Sequence, residues 1–322
     1  MLLRMFIRKI TVATLALCAL FLLYLMPDTN VVDYQLGYSD IEYVYDNSME
    51  VIYLLDSNDY VARTTMKGCD CDTIDTALDV VEGLIIDGKK GNIIPNGFRS
   101  IIPSGTSILD ISLDDKILTI NFSRELLDVS SLYEEKMIEA LIYSLTSIDG
   151  IDKVIIKVEG DVLSKLPHSG KNLAVILDRG YGINKSYDLV NTSDVFSYTV
   201  YYVSNFNDNE YYVPVTRYVN GNKQDKIKVI IEELSTSPIY ETNLMSYLSS
   251  NVSLIDYSLS DNLLSLNFNY YILSDGTDDN ILEEVIYTIS LSVMDNFPVE
   301  EVAILVNNEE IYKNSLKSLE IG

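Results

Sequence analysis

Apolar and polar residues alternate in two short blocks that recur along the chain. Ser107 to Leu113 and Lys116 to Phe122 alternate strictly, with Leu109, Ile111 and Leu113, then Leu118, Ile120 and Phe122, on one face. That period of two predicts a strand pair turning around Asp114-Asp115. Ser253 to Leu259 and Asn262 to Phe268 repeat the pattern around Ser260-Asp261. The two blocks align without a gap at an offset of 146: Ser100 with Ser246, Asp110 with Asp256, Leu113 with Leu259, Asn121-Phe122 with Asn267-Phe268. Repetition at this spacing means two copies of one domain, each long enough to own a core.

Other periodicities complete each copy. In the first, Val51 to Leu55 reads as a strand, Asp56 to Asp59 as a turn and Tyr60 to Arg63 as the return. Asp72 to Ile86 has a 3.6-residue apolar period, with Asp72 or Thr73 placed to cap it. Gly88 to Pro103 is a punctuated crossing. Tyr133 to Ile148 predicts a second helix with Met137, Ile138, Leu141, Leu145 and Ile148 inward, and Val154 to Val158 a closing strand. The second copy runs parallel: strands at Ser197 to Ser204 and Tyr211 to Val219, a helix at Lys226 to Leu234, the hairpin, a helix at Asp279 to Asn296 and a strand at Val302 to Val306. Both second helices carry Ile-Tyr, at Ile142-Tyr143 and Ile286-Tyr287. The predicted fold class is α+β: two tandem small domains, each with helices on one face of a mixed sheet. Each copy is expected to fold alone.

The N-terminus reads differently. Arg4, Arg8 and Lys9 precede Ile10 to Met26, an uncharged apolar run at the short end of a membrane-spanning helix. The basic flank keeps residues 1–27 as a cytoplasmic tail and single-pass anchor, with the domains extracytoplasmic at the cell membrane. Three fates of the run stay open: retention, lipidation at Cys18, or cleavage. Residues 28–47 form a polar tether, 48–160 the first domain, 161–195 a linker with a short strand at Leu173 to Leu177, 196–312 the second domain and 313–322 a tail.

Charge narrows the partners. The formal net charge is −25, and −28 without the three N-terminal bases. Such a surface excludes nucleic acid and favours basic partners. The 24 Tyr, with 8 Phe and no Trp, suit half-buried strands and interfaces. Candidate chemistry is sparse. His168 is the single histidine and sits in a loop, where catalysis would need a nucleophile and an orienting acid. Cys69 and Cys71 flank Asp70 and could bridge as a small strained loop or stand as free thiols, the reading that geometry favours. One His and few Cys are too few for a zinc or iron site. The acidic loop Asp275 to Asn280 lacks EF-hand order and reads as a helix cap. No catalytic, cofactor-binding or metal residue is expected, no cofactor is implied, and the chain reads as a non-enzyme.

The recurring residues Ser100-x-Ile102-Pro103-x-Gly105-Thr106, Ile120-Asn121-Phe122-Ser123, Leu141 to Thr146 and Val158-Glu159-Gly160 resemble the GerM domain family of sporulation and germination proteins. In the second copy Tyr212 to Arg217 fits the family's opening strand, while Ser249, Asn251 and Val252 replace the Pro-x-Gly-Thr element. The resemblance implies two GerM domains related to ring-building motifs, behind an exported membrane or lipid anchor. It implies a structural assembly module in an envelope complex between mother cell and forespore, with envelope protein partners or self-association into a ring. The alternative is a cell-wall or small-ligand binding protein using a cleft between the domains.

Overall fold

The computed structural model describes residues 49–69, 71–207, 209–221, 226–236, 242–274 and 280–315. The expected anchor with Cys18, the tether and residues 275–279 of the acidic loop lie outside them. Among the described residues no helix is long and apolar enough to cross a membrane.

The first copy contains β1 (Met49–Asp56), β2 (Val61–Lys67), α1 (Thr73–Leu84), β3 (Phe98–Arg99), β4 (Ile108–Asp114), β5 (Ile117–Phe122), α2 (Glu134–Leu145), β6 (Lys153–Val158) and β7 (Asp161–Val162). A short β8 (Ser186–Asp188) follows. The second copy contains β9 (Val195–Phe206), β10 (Asn209–Asn220), α3 (Lys226–Ser235), β11 (Leu254–Ser260), β12 (Leu263–Phe268), α4 (Glu283–Asn296), β13 (Glu301–Val306) and β14 (Glu309–Ser315). The fold is mixed α+β and tandem.

Local chemistry explains these elements. Asp72 caps α1, its Oδ1 accepting from the N–H groups of Ile74 and Asp75. Gly83 lets α1 lie close to the first hairpin, since a Cβ there would stand 2.7 Å from Met66 Sδ. The β4–β5 turn falls at Asp115-Lys116, one residue beyond the expected pair. Both have positive φ, +46° and +61°, and Asp114 pairs with Ile117, the geometry of a two-residue hairpin that follows strand twist. α4 begins at Glu283, later than the periodicity suggested, and Leu282 stays exposed rather than inward. β14 carries the second domain to Ser315, into the expected tail.

Each copy has its own four-stranded mixed sheet, ordered β4-β5-β6-β7 and β11-β12-β13-β14. The middle pairs β5–β6 and β12–β13 are parallel, joined through α2 and α4. The repeated Asn-Phe serves this sheet. Asn121 Oδ1 accepts the N–H of Gly160 at 2.9 Å, and Asn267 Oδ1 that of Asn308 at 3.0 Å. Both acceptors pin the tight turn after the closing strand. Phe122 and Phe268 are fully buried on the core side. The Pro-x-Gly-Thr turn also survives its substitution: Thr106 N donates to Pro103 O at 3.3 Å, and Val252 N to Ser249 O at 2.9 Å.

The opening hairpins do not join those sheets, which departs from the expected one sheet per copy. They join each other in a six-stranded sheet, β3-β1-β2-β10-β8 with β9 on β10. Tyr212 pairs with Arg63 across the copies. Pro214 cannot donate to this ladder. Asn184 inserts there: its Nδ2 donates to Val61 O and Pro214 O, and its Oδ1 accepts from Val61 N. The expected linker is thus woven into the sheet, and Leu173 to Leu177 contributes only a bridge from Leu177 to Val154. Two large core clusters remain, one of residues between 51 and 183 and one from 196 to 306 joined by Ala62.

Candidate functional site

The junction of the copies is built twice over from equivalent residues. Beyond its contact with β3, the open side of β1 is covered by α2, and that of β9 by α4. Tyr53 N donates to Ser144 Oγ at 2.8 Å, and Tyr201 N to Ser292 Oγ at 2.9 Å. Asn296 reinforces the second contact, its Oδ1 accepting from Thr199 N and its Nδ2 donating to Thr199 O. Buried strand-edge amides are satisfied by helix side chains where no further strand can pair. These bonds make Ser144 the counterpart of Ser292, an offset of 148. Ile142-Tyr143 and Ile286-Tyr287 are therefore a coincidence one helical turn out of register. Tyr143 donates to Arg179 O at 3.2 Å, whereas Tyr287 stacks on Tyr212 with centroids 5.4 Å apart.

Tyr53 and Tyr201 meet across the junction with hydroxyls 2.9 Å apart, both fully buried. Arg179 locks the copies together. Its Nε donates to Thr146 Oγ1 at 3.0 Å and its Nη2 to Ser147 Oγ at 2.8 Å, both in the first copy. Its Nη1 binds Asp295 Oδ1 of the second copy at 2.6 Å. Its guanidinium also stands over the Tyr143 ring, 5.0 Å from the centroid. Burial opposes the charge on Arg179, but Asp295 outweighs it and holds the group firmly protonated. Burial, with Asp295 nearby, pushes the Tyr143 and Tyr201 phenols well up, so both stay neutral.

Above this floor lies a cleft of about 860 Å³ between the copies. Tyr53, Tyr201, Arg179 and Asp295 line it with apolar residues such as Ile151, Leu263 and Leu291. Asp149, Asp152, Asp261, Glu300 and Glu301 add acids, against Lys116 and Arg63.

The outer edges differ. β4 and β11 each pair on one side only, within their four-stranded sheets. Opposite the core residues Ile120 and Leu118 stand Ile111 and Leu113, half-buried and packed on the first core. Opposite Leu266 and Leu264 stand Tyr257 and Leu259, exposed at 37% and 58%; at the bulge before them the edges are alike, with Leu109 51% and Ile255 53% exposed.

His168 lies away from both places. Its Nε2 donates to Val129 O at 2.6 Å, and Glu134 accepts the backbone N–H groups of His168 and Ser169. This ties a loop to α2 and brings no nucleophile to the ring. The structure pairs Cys69 with Cys71 as a disulfide, the bridged one of the two sequence readings and not the favoured free-thiol one, with their Cα atoms 5.3 Å apart. Sequence reasoning missed Arg179, Asp295, Ser144 and Ser292. The only signal for the serines was their matched place in two apolar helices.

The model of the Germane family, described as "Sporulation and spore germination", matches residues 51–164 and 199–312. The chain belongs to this family. It is also 31% identical over 266 residues to the Bacillus subtilis (strain 168) spore germination protein GerM, covering 81% of this chain and 72% of that protein. It is similar in structure to the tandem GerMN domains of the Bacillus subtilis sporulation protein GerM, with a TM-score of 0.74 and 30% identity over 81% of this chain and 91% of that one. Both Germane segments carry the same asparagine-pinned turn and serine-sealed strand.

Proposed function

We propose that this Germane protein is a non-enzymatic, membrane-anchored component of sporulation and germination. Its two domains sit outside the cytoplasm as an assembly module in an envelope complex between mother cell and forespore. Family membership and the tandem GerM likeness support the sporulation role. The basic flank and apolar run at the N-terminus support the anchor.

The observation that carries the assembly reading is the β11 edge. It offers unpaired backbone groups beside exposed Ile255, Tyr257 and Leu259. An envelope protein adding a strand there gains main-chain hydrogen bonds and covers the apolar row. The test is site-specific photocrosslinking from position 257 of the full-length protein in sporulating cells. One discrete adduct, lost with Leu259→Asp at unchanged protein level, is expected. An adduct with the protein itself identifies ring or filament self-association. The absence of any adduct, with the protein present and exported, sinks the reading. A second reading, a ligand-binding protein, is supported by the cleft between the copies.

A further inference from the structure

The floor of the cleft holds an incomplete bond. The Asp295 side chain is 2% exposed and lines the cleft. Its Oδ1 is held by Arg179, but its Oδ2 is buried with no hydrogen-bond partner. A buried carboxylate oxygen without a donor costs free energy, and such orphans need a reason. Arg179 does not supply the second bond: its Nε and Nη2 are held by Thr146, Ser147 and the Tyr143 carbonyl, and its Nη1 reaches Oδ1 alone.

We propose that the cleft between the two copies is a binding site for a ligand bearing an alkylammonium group, whose charged head completes Asp295 at the cleft floor. The reading deepens the ligand-binding alternative and is independent of the β11 edge.

Three features select this chemistry. Charge comes first: six acids, Asp295 among them, line the cleft against Arg63, Lys116 and Arg179. The potential at the mouth draws cations in. Stoichiometry comes second. A guanidinium prefers both oxygens of a carboxylate, and one is already taken; an ammonium is a point donor satisfied by a single oxygen. The lining comes third. Ile151, Leu263, Leu291 and Met294 offer apolar contact to a methylene stem. Met294, unbranched and adaptable, stands next to Asp295 and is the side chain best able to shift as the head enters. A metal ion fits less well: among the described residues no three carboxylate, thiol or imidazole groups converge as ligands.

The test titrates four probes into full-length protein in detergent micelles, by calorimetry. They are acetyl-Gly-Lys-Gly-amide, the same peptide with norleucine for lysine, 1,4-diaminobutane and calcium chloride. Saturable one-to-one binding of an amine is expected, with the norleucine peptide at least about tenfold weaker. The lysine peptide binding more tightly than the diamine assigns the ammonium to a polypeptide; the reverse assigns a free amine. Asn262→Trp, on the exposed β11–β12 turn at the cleft, should weaken the preferred amine by about tenfold or more and leave the melting temperature unchanged. Asp295→Asn should do the same to binding, and its Arg179 partner makes a melting control necessary. Equal binding of the lysine and norleucine peptides, both lost in Asn262→Trp, keeps the cleft as a site and overturns the ammonium assignment. Amine binding unaffected by Asn262→Trp, or calcium binding at least as tight as either amine, overturns the site itself.

Discussion

The inner edges of the two copies are alike, and the outer edges are not. Inside, Ser144 and Ser292 close matching amides on β1 and β9 with bonds of nearly equal length. Outside, the same hairpin gives opposite results. Ile111 and Leu113 of β4 belong to the first core, whereas Tyr257 and Leu259 of β11 stand free of the second. The repeated backbone pattern fixes which way these side chains point; whether anything covers them depends on the rest of each copy. Duplication therefore preserved the junction and left one outer edge available for a partner. The distinction can be attacked residue by residue.

The largest effect should come at the junction. Arg179→Met leaves Asp295 buried without its cation, and loss of one member of a buried pair typically costs about 3–5 kcal/mol. Urea unfolding should show that loss, and adding Asp295→Leu should recover much of it. A loss under about 1 kcal/mol would mean that Arg179 does not hold the copies together.

The outer edges should then part company. Leu113→Asp puts a charge against the first core and should cost about 2 kcal/mol or more. Leu259→Asp, at the equivalent place, should stay within about 0.5 kcal/mol while abolishing the crosslinked adduct. Equal costs would erase the contrast between β4 and β11.

The inner edges should respond equally. Ser144→Ala and Ser292→Ala each leave a buried strand amide unpaired, worth about 1–2 kcal/mol. Thermal melts of the two variants should shift together. A silent Ser144→Ala beside a damaging Ser292→Ala would show that the two seals are not equivalent.

Much of this architecture could be read from the chain. Strict alternation in β5 and β12 placed Phe122 and Phe268 in the core, and Asp72 announced the start of α1. The matched Asn121 and Asn267 were visible as a repeat, although their bond to a distant turn was not. What escaped reading is contact between copies. Tyr212 meets Arg63 through a single register pair, and Asn184 patches the ladder from a stretch that reads as linker. β3 is two residues long within a Gly/Pro-rich crossing, too short for any period to show. Arg179 and Asp295 lie 116 positions apart, and nothing local marks either as half of a pair. The false Ile-Tyr match shows the same limit: identical dipeptides suggested one register for the second helices, and the strand amides set another.

The smallest effect should appear where the inner edges do differ. Glu50 in β1 stands at the place that Tyr198 holds in β9, by the 148-residue offset of the serine seals. Partial burial raises the Glu50 carboxyl above its usual range, and Asp79 and Asp149 add to the shift. A raised carboxyl pKa means that the folded state disfavours the ionised form. Below the ordinary carboxylate range both folded and unfolded chains carry the proton, and the penalty is absent. As pH rises through the raised pKa the folded chain must ionise, and stability from this group is lost. Glu50→Gln should therefore raise the melting temperature modestly at pH 7 and leave it unchanged near pH 3. Tyr198→Phe in the second copy should show no such pH dependence across that interval, because its phenol stays neutral, held up by burial and by Glu233. Melting curves of both variants at the two pH values decide it: a Glu50→Gln gain that is as large at pH 3 as at pH 7 would trace to packing and not to charge.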